Sequence, residues 1–400
     1  METLKRLQIF RKTRATILDP QESYYAITSR MNRSCQVVLG MDLLTPGFSF
    51  VNPQFIFLLA IMTSFLYSDI ESAILAEDIG GFIYNIAVFG FGLQGFAKFD
   101  AYLYRRPDYH KLLHLLGDFM GECNSNDRWK QKMIDSVAIC IIFAKFYFGM
   151  YTLVFLGASM IGILMSLWSG ELQLSFGFQF SFIDTSGFVG YIFTYLYQII
   201  AVLEVVLSSF CNESLIVMVF VNAFGMCDCI ISDLKELSKL SQLEKTPENR
   251  REAKEKMKLI IQKHQNVIVY LDLANTIFST YFCMSLVAMT GTISILLIVL
   301  VWLRWYPAIF LASMASIQIL NMCFLGTLLL LKGEELEREI YVTTWYDLDV
   351  PVQQSLKLLL LASQNIKEIS YRFGVMNMET YVQTHKLIYS FFAMLVTTKE

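Results

Sequence analysis

Charge is scarce in this chain: Asp, Glu, Lys and Arg make up 17% of its 400 residues, against roughly one quarter in a soluble domain. With 55% apolar residues and a mean hydropathy of +0.49, the sequence reads as one that buries its surface in lipid. It has little excess of either sign, a formal net charge of −3 and a pI near 5.9, so there is no basic field for nucleic acid. The first 35 residues carry seven Lys and Arg but no apolar run, so no cleaved secretory signal is expected and the first spanning helix should direct insertion. The eight cysteines form no clustered framework, and no structural disulfide is predicted. Cys227-Asp-Cys229 lacks a second pair, and His110 and His114, one turn apart, lack a third ligand and a zincin Glu; no metal is expected. Neither a Gly-x-Ser-x-Gly elbow nor a Gly-Lys-Ser/Thr phosphate loop occurs. Gly90-Phe-Gly92-Leu-Gln-Gly95 matches the dinucleotide fingerprint, but no strands alternate with helices around it, and in an apolar segment small residues indicate close helix packing. The reading is a protein that is not an enzyme and has no cofactor.

What is present in quantity is apolar length. A span needs about twenty residues to cross roughly 30 Å of hydrocarbon. Residues 48–67, 80–99, 137–168, 188–211, 267–303, 307–331 and 380–398 qualify, the last being the most polar, with Gln383, Thr384, His385, Lys386 and Ser390. Cations cluster in the N-terminal arm and in 98–132, 233–263 and 332–372, which together hold 28 of the 32 Lys and Arg, whereas 68–79 and 169–187 hold none. By the positive-inside rule the N-terminus is cytoplasmic and the C-terminus extracellular. The fold class is therefore all-α, an integral membrane protein of seven transmembrane helices. Apolar character continues past Glu213 through Met226 without a Gly or Pro turn. This predicts one long helix extending into a cytoplasmic helical body that also includes 232–263 and the apolar run 356–361. Within the spans Lys145, Glu204 and Asp272 are ionisable; the carboxylates either pair with Lys145 or sit near an interface where a long side chain reaches water, and such a packing role is preferred to ligand binding. Asn32 and Asn212 fit the glycosylation pattern but fall in the cytoplasm or the membrane, so neither is expected to be modified. The aromatic content, 32 Phe and 20 Tyr, suits interfacial belts or an apolar binding cavity.

Seven helices suggest a G-protein-coupled receptor, but that family has the opposite orientation. The third segment here has no Asp-Arg-Tyr and the seventh no Asn-Pro-x-x-Tyr. Three motifs near the C-terminus point elsewhere: Thr344-Trp345-Tyr346, Met376-Asn-Met-Glu-Thr380 and Tyr389-Ser-Phe-Phe-Ala-Met-Leu395. They resemble, respectively, the Pro-Trp-Tyr element, the lead-in to the last helix and the closing Tyr-Ser-x-Phe-x-x-Leu signature of the insect odorant receptor family. Thr344 stands where that family has Pro, and the long insertion of the family's co-receptor after the fourth helix is missing, so the chain resembles a tuning subunit.

The resemblance implies an odorant-gated, non-selective cation channel in the plasma membrane of a sensory dendrite, a heterotetramer of tuning subunits with the co-receptor, and an odorant pocket in the outer half of the membrane. It implies three parts: 1–331, a six-helix membrane domain with the pocket; 332–378, a cytoplasmic anchor; and 379–400, the pore-lining helix. Met394, Thr397 and Thr398 match pore positions, with Met394 suited to a hydrophobic gate. Lys386 departs from a cation pore and is expected off its axis. Assembly is assigned to Trp345, Tyr346, Leu358 and Leu359. Helical spacing of aromatic and hydroxyl residues in the outer halves gives the pocket candidates: Phe82 and Phe89; Tyr147, Tyr151, Val154 and Ala158; Tyr191, Tyr195 and Ile199; and Ser313, Ser316 and Ile317. The expected partners are the co-receptor, a small volatile odorant and membrane lipid. A G-protein-coupled or other seven-helix chemoreceptor, and a transporter, are the alternatives; the absence of internal repeats weighs against the transporter.

Overall fold

In the computed structural model, residues 8–23, 26, 52–170, 172–244, 246–365 and 367–397 are described. A short helix α1 (Gln8–Ala15) precedes α2 (Pro53–Ile74). The start of α2 is set by Pro53 at its first turn and by Asn52, whose side-chain oxygen accepts from the Gln54 amide at 3.0 Å. The span therefore begins and ends several residues beyond the predicted 48–67. The second span is broken. It consists of α3 (Ile79–Asn85), capped by Asp78, and α4 (Phe89–Phe99), and it ends in a π-helical turn at Asp100–Tyr104.

The remaining long helices outrun a bilayer. After α5 (Arg106–Cys123) come α6 (Asp127–Ser169), α7 (Phe188–Ser241), α8 (Pro247–Leu303) and α9 (Pro307–Val342). At about 1.5 Å per residue α7 and α8 each exceed roughly 80 Å, more than twice what a span needs. In α7 nearly every side chain from Cys211 to Leu234 is buried, the signature of a helix enclosed by protein on all sides. The long apolar run thus continues one helix into the core of a helical body. It is not a second crossing, and Asn212 is buried there at 1% exposure. The chain ends with a single 3₁₀ turn at Trp345–Asp347, α10 (Val350–Ser363), a two-stranded antiparallel hairpin pairing Ser370 with Val375, and α11 (Met378–Thr397).

Six of these helical stretches are long and apolar enough to cross a membrane, by length and composition. α11 has the length, at 20 residues, but carries Glu379, His385 and Lys386. The turns define two ends of the bundle. At one, here the loop end, Ser72 bonds Gln179 and the Trp305 indole donates to the Ser175 carbonyl. At the other, the anchor end, Thr344 bonds Ser238 and Arg250 faces Asp349. The glycines of α4 explain the dinucleotide-like string. A Cβ at Gly90 would collide with Thr292 of α8, and one at Gly92 with Leu66 of α2, so the string is a close-packing face. Cysteines 123, 140, 211, 227, 229, 283 and 323 are free and buried; Cys35 and Asn32 lie outside the described residues.

Of the two alternatives for the carboxylates in the spans, pairing with Lys145 does not occur. Asp272 sits 2.8 Å from Lys367 instead, while Lys145 is exposed. Helix rotation decides this: Lys145 is on the exposed side of α6, as are Phe146 and Phe148 that follow it. Lys98, grouped above with loop cations, is in fact buried at 7% exposure in α4.

Candidate functional site: an apolar cavity, its roof and the polar network beneath

In the loop-end half of the bundle an apolar cavity of about 30 Å³ lies among α2, α4, α7 and α9. Phe65, Phe91, Val202, Val206, Leu311 and Met314 contribute to its wall. Phe176 and Phe178 of the 172–187 segment close it from the loop end and are themselves 2% and 1% exposed. The segment contains no helix, so its peptide groups need partners from elsewhere. Gln198 supplies them: its Nε2 donates to the carbonyls of Phe176 and Phe178 at 2.9 and 2.8 Å, and its Oε1 accepts from the Phe176 amide at 3.2 Å. Trp305 donates to Ser175 at 3.0 Å, and Ser72 both donates to and accepts from Gln179. Edge-on ring contacts of Phe178 with Phe65 at 4.9 Å and of Phe176 with Trp305 at 5.8 Å complete the roof.

None of the pocket residues chosen from helical spacing lines this cavity. Tyr147, Tyr151, Val154 and Ala158 form one buried stripe of α6. Tyr195 donates to the Ser159 carbonyl and Tyr191 to that of Gln173, so both tyrosines secure α7 against α6 and the roof. Phe89 and Ile199 are half-buried and Phe82 is 45% exposed. Ser313 is exposed and bonds its own helix at Phe310. Half-buried Ser316 turns to α11, where its hydroxyl meets His385 Nε2 at 3.0 Å and Tyr381 Oη at 3.4 Å. Ile317 beside it is half-buried. Helical spacing does not reveal the roof phenylalanines, because Phe176-Gly-Phe178-Gln-Phe180 alternates with a period of two.

Directly beneath lies a buried polar network that joins the long helices. Gln94 Nε2 donates to Gln318 Oε1 at 2.7 Å and to Ser285 Oγ at 3.2 Å, and Gln318 Nε2 donates to Tyr151 Oη at 3.3 Å. Asn212 donates to Tyr281 Oη at 2.6 Å and accepts from Tyr102. Asn321 donates to the Glu213 carboxylate, which also faces Asn212 Nδ2 and Tyr281 Oη. A carboxylate ringed by donors is satisfied without a metal, and among the described residues no cluster suited to a metal exists.

α11 packs Thr384 and Ile388 inward and leaves Val382, Leu387, Tyr389, Phe391 and Met394 exposed. Lys386 is also exposed; the Thr397 side chain and Thr398 lie outside the described residues. At the anchor end Trp345, Tyr346 and Leu358 are exposed, whereas Leu359, one position on, is 4% exposed and faces its own core with Val352 and Leu356. A cavity of about 320 Å³ opens beside Tyr341, Trp345, Leu356 and Leu360.

Taken together, the long helices, the broken second span and the short polar last helix define a multi-span helical membrane-protein fold. The sequence matches the family described as 7tm Odorant receptor over residues 78–389, and the chain belongs to that family. Two solved structures of the insect olfactory receptor OR5 from Machilis hrabei share the fold at 14% identity, each over 95% of this chain and 100% of theirs. The one in complex with eugenol superposes with a TM-score of 0.77 and the other with 0.74. No curated protein matches by sequence.

Proposed function

We propose that this chain is a tuning, odorant-binding subunit of a ligand-gated cation channel that opens together with a co-receptor. The carrying observation is the apolar cavity in the loop-end half, roofed by Phe176 and Phe178. Such a cavity suits a small volatile ligand with few polar atoms. Its volume of about 30 Å³ is far below the roughly 150 Å³ that admits benzene, so a ligand must expand it. Met314 and the phenylalanine roof are the parts able to move: methionine is unbranched and adaptable, and the roof is held by hydrogen bonds without secondary structure of its own. Expansion towards α6 brings the Tyr147–Ala158 stripe and Tyr191 and Tyr195 into the ligand's surroundings, which is the role assigned to them.

α9 gives a route from ligand to pore. One side of it bonds Tyr151 and Gln94 through Gln318, and another bonds His385 of α11 through Ser316. A ligand that binds the expanded state more tightly favours it by that difference in affinity and thereby shifts α11. Met394, Thr397 and Thr398 line the pore in this reading, Lys386 stays off its axis, and the exposed Trp345, Tyr346 and Leu358 contact neighbouring subunits. Orientation follows the cations: the loop end is extracellular and the anchor end cytoplasmic, in the plasma membrane.

The test is whole-cell current from cells expressing this chain alone or with an insect odorant co-receptor, challenged with small aromatic volatiles while G-protein signalling is blocked. Odorant-evoked cation current confined to co-expressing cells is the expected result. A response abolished by the block would overturn the channel reading. Unchanged sensitivity in both Tyr151→Ala and Tyr195→Ala would remove those residues from the pocket.

A further inference from the structure

A second cavity, of about 60 Å³, lies between α2, α4 and α7, walled by Leu58, Ile61, Met62, Phe65, Phe91 and Val205. It shares Phe65 and Phe91 with the roofed cavity but contains what that one lacks, two ionisable side chains: Lys98 from α4 and Glu204 from α7. Lys98 donates to Ser209 Oγ at 2.9 Å and Ser208 Oγ at 3.2 Å, which leaves one of the three ammonium N–H groups free of those bonds. Glu204 has no hydrogen-bond partner among the described residues. A carboxylate held in a span without a partner is costly, and such groups mark function by default. The neighbouring side chains Leu59, Ile200 and Leu203 are exposed at 37%, 41% and 38%, so the mouth between α2 and α7 faces the surrounding lipid.

We propose that this cavity binds a slender alkanol arriving from the bilayer, its hydroxyl donating to Glu204 and accepting from the remaining Lys98 N–H, its chain lying along Leu58, Ile61 and Phe65. The hydroxyl is the class that fits both groups. A carboxylic acid would bring a like charge to Glu204 and an amine would bring one to Lys98, whereas a neutral hydroxyl is donor and acceptor at once. Shape selects the tail: the volume of about 60 Å³, well short of the roughly 150 Å³ that takes benzene, holds only the head of the molecule and its first carbons, and a linear chain can run on through the mouth between α2 and α7 past Leu59, Ile200 and Leu203. The site is distinct from the roofed cavity, and its test requires no channel activity.

The experiment is photolabelling of the full chain, purified into lipid nanodiscs, with a diazirine-bearing hexanol, followed by mass spectrometry of the adducts. Saturable adducts on α2 and α4, competed by 1-hexanol, are expected. In Glu204→Leu and in Met62→Trp, which fills the space, the concentration for half-saturation should rise about tenfold or more, the loss that accompanies a hydrogen bond to a charged group. Two results from the unmutated protein would overturn the proposal, whatever the variants do: hexane competing as well as 1-hexanol, or adducts spread evenly over lipid-facing positions without saturation. Unchanged half-saturation in both variants would do the same.

Discussion

Replacing Asp233 by alanine tests how the anchor-end body is held together. Asp233 lies 45 residues into α7, roughly 65 Å from the loop end at 1.5 Å per residue and so beyond one bilayer thickness. Its carboxylate is 2.6 Å from Lys263 Nζ of α8 and accepts from the Trp129 indole of α6 at 2.8 Å, with the ammonium over the same indole. Both charged side chains are almost wholly buried, at 1% and 2% exposure. Alanine at 233 leaves an ammonium stranded in protein and an indole N–H unpaired. Breaking a buried pair from one side costs about 3–5 kcal/mol, and the orphaned donor belongs to the same loss. Unfolding of a multi-span chain is read as a rate. If about 3 kcal/mol falls on the unfolding barrier, the half-life at fixed temperature shortens about a hundredfold. Lys263→Met should do comparable damage from the other side. The double replacement Asp233→Leu with Lys263→Leu should be less harmful than either single change, because no uncompensated charge remains. Unfolding followed by tryptophan fluorescence in nanodiscs measures all three. Half-lives within a fewfold of the parent for both single variants, or a double variant at least as short-lived as either single one, would refute the argument that these charges act as a buried unit.

Three further outcomes follow from the same geometry. Gly90→Leu drives a side chain into Thr292 and should abolish monodisperse folded protein by size-exclusion chromatography, whereas Gly291→Ala, with nothing within 4 Å of the added carbon, should elute like the parent. Gln198→Leu removes the three hydrogen bonds that hold the Phe176–Phe178 roof; hydrogen exchange of residues 172–180 should accelerate at least tenfold, with α8 unchanged. Tyr346→Asp with Leu358→Asp charges two exposed anchor positions and should reduce the oligomer in native mass spectrometry while the monomer's melting temperature stays within a few degrees. That double variant is a cleaner test than deleting 350–370, since Val352, Leu356 and Leu359 belong to the chain's own core.

The crossings were legible because lipid imposes one requirement, a long apolar run, and the sequence states it residue by residue. The continuation of α7 through Leu215–Met226 was legible for the same reason together with the missing turn, and burial on every side explains why residues beyond the lipid remain apolar there. Rotation was harder to read. Lys145, Glu204 and Asp272 all sit in spans, but their partners depend on how each helix faces its neighbours, and a 100° turn per residue sends Lys145 outward while Asp272 reaches Lys367. The pocket candidates illustrate the same gap: the α6 stripe of Tyr147, Tyr151, Val154 and Ala158 is buried as its spacing requires, yet a buried stripe can face a tyrosine, a glutamine or a cavity with equal periodicity. The roof was readable by a different rule. Residues 169–187 contain no Lys or Arg, and their phenylalanines recur at every second position. A run of four phenylalanines, Phe176, Phe178, Phe180 and Phe182, is expensive to leave in water, so the alternation itself argues that part of the segment turns inward. Helical periodicity has no means of registering that, and the side chain of Gln198, buried and placed one helical turn past Thr194, supplies the peptide partners of Phe176 and Phe178, with Trp305 and Ser72 serving Ser175 and Gln179.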